Sequence, residues 1–117
     1  MKIALFGNKS STSLILSKIL ELTAEVVVHQ VNQKHSKDIS GYQKIDADQK
    51  KKSFELKVFD NYSLSSDADI SYFNEQKFDL GISSGWQRLI PNKILKSFKY
   101  GVYGWHASPF TFPDGRG

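Results

Sequence analysis

Two apolar runs separated by a helix-length interval open the chain, and that spacing constrains the fold more than any other feature. Residues 2 to 7, KIALFG, read as a buried strand running into a turn at the glycine. Residues 25 to 31, EVVVHQV, are rich in β-branched side chains and read as a second strand. Between them Ser10, Ser11 and Thr12 offer helix caps. Leu14, Ile15, Ile19 and Leu20 give a helical face that Leu16 and Leu22 widen, which predicts a helix over about Thr12 to Leu22. A tight hairpin cannot hold a helix, so a crossover of this length favours two parallel strands with a right-handed connection.

The rest of the chain repeats the alternation. Residues 32 to 53 are polar and without a clear period, with a short irregular helix around Asp46 to Lys52 as the one local expectation. FELKVF, residues 54 to 59, reads as a third strand. Ser66 and Asp69 have capping-box spacing, and Ile70 with Phe73 marks a helix over about Asp67 to Glu75. FDLGIS, residues 78 to 83, reads as a fourth strand. Pro91 suits the first turn of a short helix in which Ile94, Leu95 and Phe98 share a face. GVYGWH, residues 101 to 106, reads as a fifth strand before a turn at Pro113, Asp114 and Gly115. The order β-α-β-loop-β-α-β-α-β argues for an α/β domain with a mainly parallel sheet and flanking helices. At 117 residues this is one domain, long enough to bury roughly two-thirds of its unfolded surface.

Composition removes several function classes. The chain has no cysteine, which excludes disulfides, thiolate catalysis and cysteine-ligated zinc. No apolar run reaches the roughly 18 residues of a membrane span, and the apolar start is too short for the core of a signal peptide, so no membrane partner and a cytoplasmic location are expected. The net charge of +4 comes from scattered lysines with one cluster at Lys50, Lys51 and Lys52, and only Arg88 and Arg116 are arginines. Nucleic-acid binding surfaces usually show a basic stripe with arginine or aromatic partners, so this charge points to a solvated segment instead.

In parallel sheets, ligands sit at the carboxyl ends of the strands. Those ends carry Gly7-Asn8-Lys9-Ser10, Ser83-Ser84-Gly85-Trp86 and His106-Ala107-Ser108. The loop GNKSSTS lacks the glycines of a dinucleotide fingerprint and the Gly-Lys-Ser/Thr order of a P-loop. Its hydroxyls and the helix start behind it remain a place for a phosphate or other anion, against the plainer reading of helix capping. His29 and His35 have no third ligand near them in sequence, so no metal site is expected. His106 differs from both: it falls at a strand end beside a serine, where an imidazole can move a proton near neutral pH.

Two segments together resemble the folate-dependent formyltransferases. FDLGISSGWQRLIPNKIL, residues 78 to 95, is similar to that family's strand, glycine loop, Ile-Pro pair and helix. GVYGWHASPFTFPDGRG, residues 101 to 117, resembles its Asn-x-His-x-Ser-Leu-Leu-Pro-x-x-Arg-Gly signature, with His106, Ser108, Pro113, Arg116 and Gly117 at the matching positions. The resemblance covers residues 78 to 117 well and the Rossmann-like amino-terminal part more loosely. It implies a formyl transfer from 10-formyltetrahydrofolate to an amine, through a tetrahedral oxyanion that a well-placed donor stabilises by roughly 3 kcal/mol. His106 would be that donor or a proton carrier. Trp86, Arg88, Leu89, Ile90 and Ser108 would bind the folate, with Trp86 as a wall for the flat pterin or, in the plainer reading, a loop tryptophan covering the core. Asn8, Ser10 and Ser11 would meet the acceptor, for which the family uses methionyl-tRNA, an amino-sugar nucleotide or glycinamide ribonucleotide.

The chain departs from the family at three points. Gly104 stands where the signature has asparagine, the stretch from His106 to Pro113 is longer than in the signature, and no residue matches the aspartate that follows it. The resemblance therefore implies an incomplete formyltransferase domain lacking the carboxyl-terminal strands. A formyl-folate hydrolase, in which water replaces the amine, and a non-catalytic folate or nucleotide-sugar binding module are the competing readings.

Overall fold

The structure is a computed structural model that describes residues 1–22, 24–38, 41–45, 54–86 and 88–104. Strands β1 (Lys2–Phe6), β2 (Glu25–Val31), β3 (Glu55–Phe59), β4 (Leu80–Ser83) and β5 (Val102–Gly104) form a single sheet in the order β3-β2-β1-β4-β5, and every pair is parallel. Helices α1 (Ser10–Ile19), α2 (Asp67–Gln76) and α3 (Asn92–Leu95) connect them, and a 3₁₀ turn over Gln33–Asp38 follows β2. This is a Rossmann-like α/β architecture. The strand order reverses between β1 and β4, so the connections leaving those two strands diverge and open a crevice at their carboxyl ends.

Strand β1 is buried from Ile3 to Phe6 because the sheet is covered on both sides. Ile3, Leu5, Val26 and Val28 pack with Leu16 and Ile19 of α1, and with Ile45 and Phe54. On the other face Ala4, Phe6 and Val27 pack with Phe59, Leu64, Phe73, Phe78, Ile94 and Phe98. Asp79 fixes the start of β4 by accepting from the Lys2 amide at 2.8 Å. Leu64 is fully buried at φ 54, a left-handed conformation that a branched side chain adopts only when packing holds it there.

Helix α1 starts two residues earlier than its sequence pattern indicates and ends three earlier. Lys9 is its N-cap residue, so none of Ser10, Ser11 and Thr12 caps through the expected position. Thr12 instead closes the first turn from inside: its hydroxyl accepts from the Lys9 amide while its own amide donates to the Lys9 carbonyl. The buried stripe is Thr12, Leu16 and Ile19, a one-face helical spacing. Leu14 is 71% exposed and Leu22, beyond the helix, 62% exposed. The expectation that those two leucines belong to the packed face is corrected by this phase. Helix α2 agrees with its cap signal, since the Ser66 hydroxyl accepts from the Asp69 amide at 3.1 Å. Pro91 sits one residue ahead of the first turn of α3 as its N-cap. The helix expected around Asp46 to Lys52 and the end of the fifth strand at Trp105 and His106 lie outside the described residues.

Candidate functional site

The crevice between β1 and β4 is lined by two loops that touch. Gly7 ends β1 with its backbone against the second loop: a Cβ there would stand 2.2 Å from the Ser84 carbonyl oxygen and 2.2 Å from Thr12 Oγ1. Only glycine allows that approach. Thr12 donates its hydroxyl proton to the Ser84 carbonyl at 3.1 Å, and the Ser11 and Ser84 hydroxyls share a hydrogen bond at 2.8 Å. The aliphatic stem of Lys9 lies over Gly85, which has φ 80 and whose added Cβ would stand 2.8 Å from Lys9 Cδ. The GNKSSTS loop and the Ser84–Trp86 loop therefore form one rigid floor.

The residues expected to meet an acceptor divide into two groups on this floor. Ser10 is exposed and Ser11 half-buried, both at the first turn of α1. Asn8 is buried at 1% exposure, and its side-chain oxygen accepts from the Val31 amide at 3.0 Å, which ties the loop to the end of β2. Its carbonyl also accepts from the Gln43 amide. Gln30, equally buried, completes this network by donating to the Gly7 carbonyl at 3.0 Å and accepting from the Ile45 amide at 3.0 Å. Asn8 and Gln30 hold the loop in shape from below, a role that a strand residue and a loop asparagine do not reveal in sequence.

Among the expected folate-binding residues, Trp86 is half-buried. Its ring stands edge-on to Phe6 at 5.6 Å and to Phe59 at 6.3 Å, and Nε1 donates to the Tyr62 carbonyl at 2.9 Å. The indole is thus fixed at the carboxyl end of the sheet and also covers the aromatic core. The Arg88 guanidinium lies 5.1 Å from the centre of the Tyr62 ring. Leu89 is 68% exposed, and Ile90 packs half-buried against the core. Tyr62, which the sequence reading missed, joins the β3 and β4 loops through both contacts. Its place in the loop that leaves the carboxyl end of β3 was the available signal. His106 and Ser108 lie outside the described residues.

Among the described residues, His29 is the titratable group of the buried interior. It is fully buried on β2 between Phe6, at 4.8 Å, and Phe59, at 5.9 Å between ring centres. Its Nδ1–H donates to the Leu5 carbonyl at 3.3 Å, so Nε2 accepts from the Tyr72 hydroxyl at 2.9 Å. Its pKa is lowered to about 3, chiefly by burial and in smaller part by Lys57, with the Leu5 and Val27 backbone contacts opposing the shift. Burial likewise raises the Tyr72 phenol above its ordinary value. This imidazole is neutral at physiological pH and holds β1, β2 and α2 together. His35, on the 3₁₀ turn, donates to the Asp60 carbonyl at 2.6 Å.

A pocket of about 210 Å³ lies at the carboxyl end of β2, beside β3, lined by Gln30, Val31, Asn32, Gln33, Tyr42, Lys44 and Val58. Among the described residues no three His, Cys, Asp or Glu side chains gather as metal ligands, and no helix is long and apolar enough to cross a membrane. Comparison with the models of known protein families gives no match, and comparison with curated proteins gives none either.

Proposed function

We propose that this chain is a formyltransferase-like domain that uses 10-formyltetrahydrofolate as formyl donor and an amine as acceptor, an amino-sugar nucleotide or methionyl-tRNA. One observation carries the reading beyond the motif resemblance. Strand β5 runs parallel to β4, so the chain reaches the start of GWHASPFTFPDGRG at the same sheet end as the GNKSSTS and Trp86 loops. In this reading His106 stabilises the oxyanion or carries the proton. Trp86, Arg88, Leu89, Ile90 and Ser108 receive the folate, with the fixed indole as wall for the pterin. Ser10 and Ser11 face the acceptor, and Asn8 shapes the loop that presents them. Gly104, in place of the signature asparagine, favours the second reading, a binding module that keeps the fold without the chemistry.

The test is formyl transfer by the full chain, followed as tetrahydrofolate release with each acceptor in turn, for the wild type and His106→Ala. The expected outcome is a loss of about 10²- to 10³-fold in kcat for the variant, the size associated with removing one oxyanion donor. Formate release without acceptor would assign the hydrolase instead. Binding of the folate with no turnover would assign the non-catalytic module. Equal transfer by both proteins would overturn the role of His106.

A further inference from the structure

We propose that Ser83 donates a hydrogen bond to the oxyanion from the strand position beside Gly104, an inference that rests on the formyl-transfer reading above. Ser83 and Gly104 are direct partners in the parallel β4-β5 pair, and Phe6 is the partner of Ser83 on β1. Paired residues in adjacent strands present their side chains on the same sheet face. That face is the aromatic one: Phe6 belongs to its core, and a Cβ on Gly81, two residues before Ser83, would meet Phe98 and Val102. Trp86 packs against the same core. The row Phe6, Ser83, Gly104 therefore crosses three strands at their carboxyl ends, on the indole's side of the sheet.

Gly104 is not simply a smaller version of asparagine. A Cβ at residue 104 would stand 2.7 Å from the Ser83 carbonyl oxygen and 3.1 Å from Ser83 Cβ. The nearer obstacle is backbone, so the β5 chain lies against β4 too closely for an asparagine to enter without moving the strand. Residue 104 offers no side-chain donor, and its neighbour on the same face is Ser83. Its hydroxyl is half-buried and makes no hydrogen bond among the described residues. Three neighbouring hydroxyls are engaged, Ser11 with Ser84, and Thr12 with the Ser84 carbonyl and the Lys9 amide, while Ser10 is exposed at the first turn of α1.

In the reaction, the acceptor nitrogen attacks the formyl carbon, the new C–N bond forms, and the carbonyl π pair moves to oxygen. Ser83 Oγ–H donates a hydrogen bond to that oxygen. When the carbonyl re-forms, the bond from carbon to N10 of the folate breaks, and the proton lost by the amine ends on N10. Serine keeps its own proton throughout, so the residue adds no ionisation to the pH profile.

The experiment compares the full chain with Ser83→Ala, Ser83→Thr and His106→Ala. It measures transfer to an amino-sugar nucleotide and to methionyl-tRNA, formate release in the absence of acceptor, and binding of 5-formyltetrahydrofolate by tryptophan fluorescence. Ser83→Ala should lower kcat by about 10²-fold. It should leave KM, the affinity for 5-formyltetrahydrofolate and the shape of the pH profile unchanged, and Ser83→Thr should restore most of the rate. Loss of transfer in His106→Ala with full activity in Ser83→Ala would overturn this inference and leave the formyl-transfer reading standing. A loss in Ser83→Ala that Ser83→Thr shares, or that appears in KM and affinity, would make Ser83 a packing residue and overturn it as well. A wild type without transfer, formate release or folate binding would remove the formyl-transfer reading, and this inference with it.

Discussion

Under α1 the sheet presents Ile3, Leu5, Val26 and Val28 to Leu16 and Ile19, while on the opposite face Phe6 meets Phe73 and Phe98, with Phe59 and Phe78 beyond. The aliphatic side packs hydrocarbon along most of β1 and carries buried Thr12 and Gln30 at its carboxyl end. The aromatic side carries His29 bonded to Tyr72, and at its carboxyl end it continues into Trp86, Ser83 and Gly104. Rings stacked at 5 to 6 Å form a stiff, polarisable bed. The difference shows where this chain can place polar chemistry. One face stabilises the sheet mainly by apolar area and ties down the strand-end loops through Thr12 and Gln30, while the other embeds His29 and Tyr72 in an aromatic frame that runs to the strand ends.

The largest effect that separates the faces is a pH dependence of stability belonging to His29. Its pKa is about 3 in the fold against 6.5 for the ordinary imidazole. Between those values the unfolded chain takes up a proton that the native protein refuses, so its contribution is complete above pH 6.5 and is lost as pH falls toward 3. The full shift corresponds to roughly 4 to 5 kcal/mol. Carboxylates titrate in the same range, and a His29→Phe variant shares them. Denaturant unfolding of both proteins from pH 8 to pH 4 should therefore give a wild-type curve that falls more steeply, by up to about 1.4 kcal/mol per pH unit. Parallel curves would show that the aromatic face tolerates the charged ring.

Much of this contrast was legible in the sequence, and the rest was hidden for definite reasons. EVVVHQV marks β2 to the residue, because β-branched side chains buried on both faces leave a continuous run. The Ser66 cap and the short helix after Pro91 were readable for equally local reasons. The phase of α1 was not. Its amphipathic signal is diluted by Leu14, an exposed leucine, and its buried stripe includes a threonine whose hydroxyl is satisfied by Ser84 seventy-two positions along the chain. The candidate site divides in the same way. Trp86, Ser10 and Ser11 follow from the rule that parallel sheets bind ligands at strand ends. The inward role of Asn8, the bracing by Gln30 and the exclusion of a side chain at residue 104 depend on register between strands, which no local pattern encodes.

A smaller effect probes the hydrogen bond inside the aromatic bed. Tyr72→Phe keeps the ring and its edge contacts with Phe59 and Phe73 but leaves His29 Nε2 without a donor. The expected loss is about 1 to 3 kcal/mol, the cost of an unsatisfied buried acceptor. The Tyr72 hydroxyl can also turn to accept from Nε2–H of a charged ring, so the variant gives an imidazolium no new partner and the His29 component of the pH slope should persist. A slope that flattens in the variant would show that the Tyr72 hydroxyl is what keeps the ring neutral.

The smallest effect should come from the aliphatic face. Ile19 is 4% exposed and packs with Leu16 at the end of α1, against β1 and β2. Ile19→Val removes one methyl group and should cost about 0.5 to 1.5 kcal/mol. Nothing titratable belongs to the cluster around it, so the loss should be constant from pH 8 to pH 4. The proposed formyl transfer, measured beside it, should keep the wild-type kcat and KM, because the substitution lies on the face away from Ser83 and Trp86. A pH-dependent loss, or a fall in kcat without a change in stability, would show that the two faces are mechanically coupled through β1. The aliphatic layer would then be part of the site's positioning rather than its support.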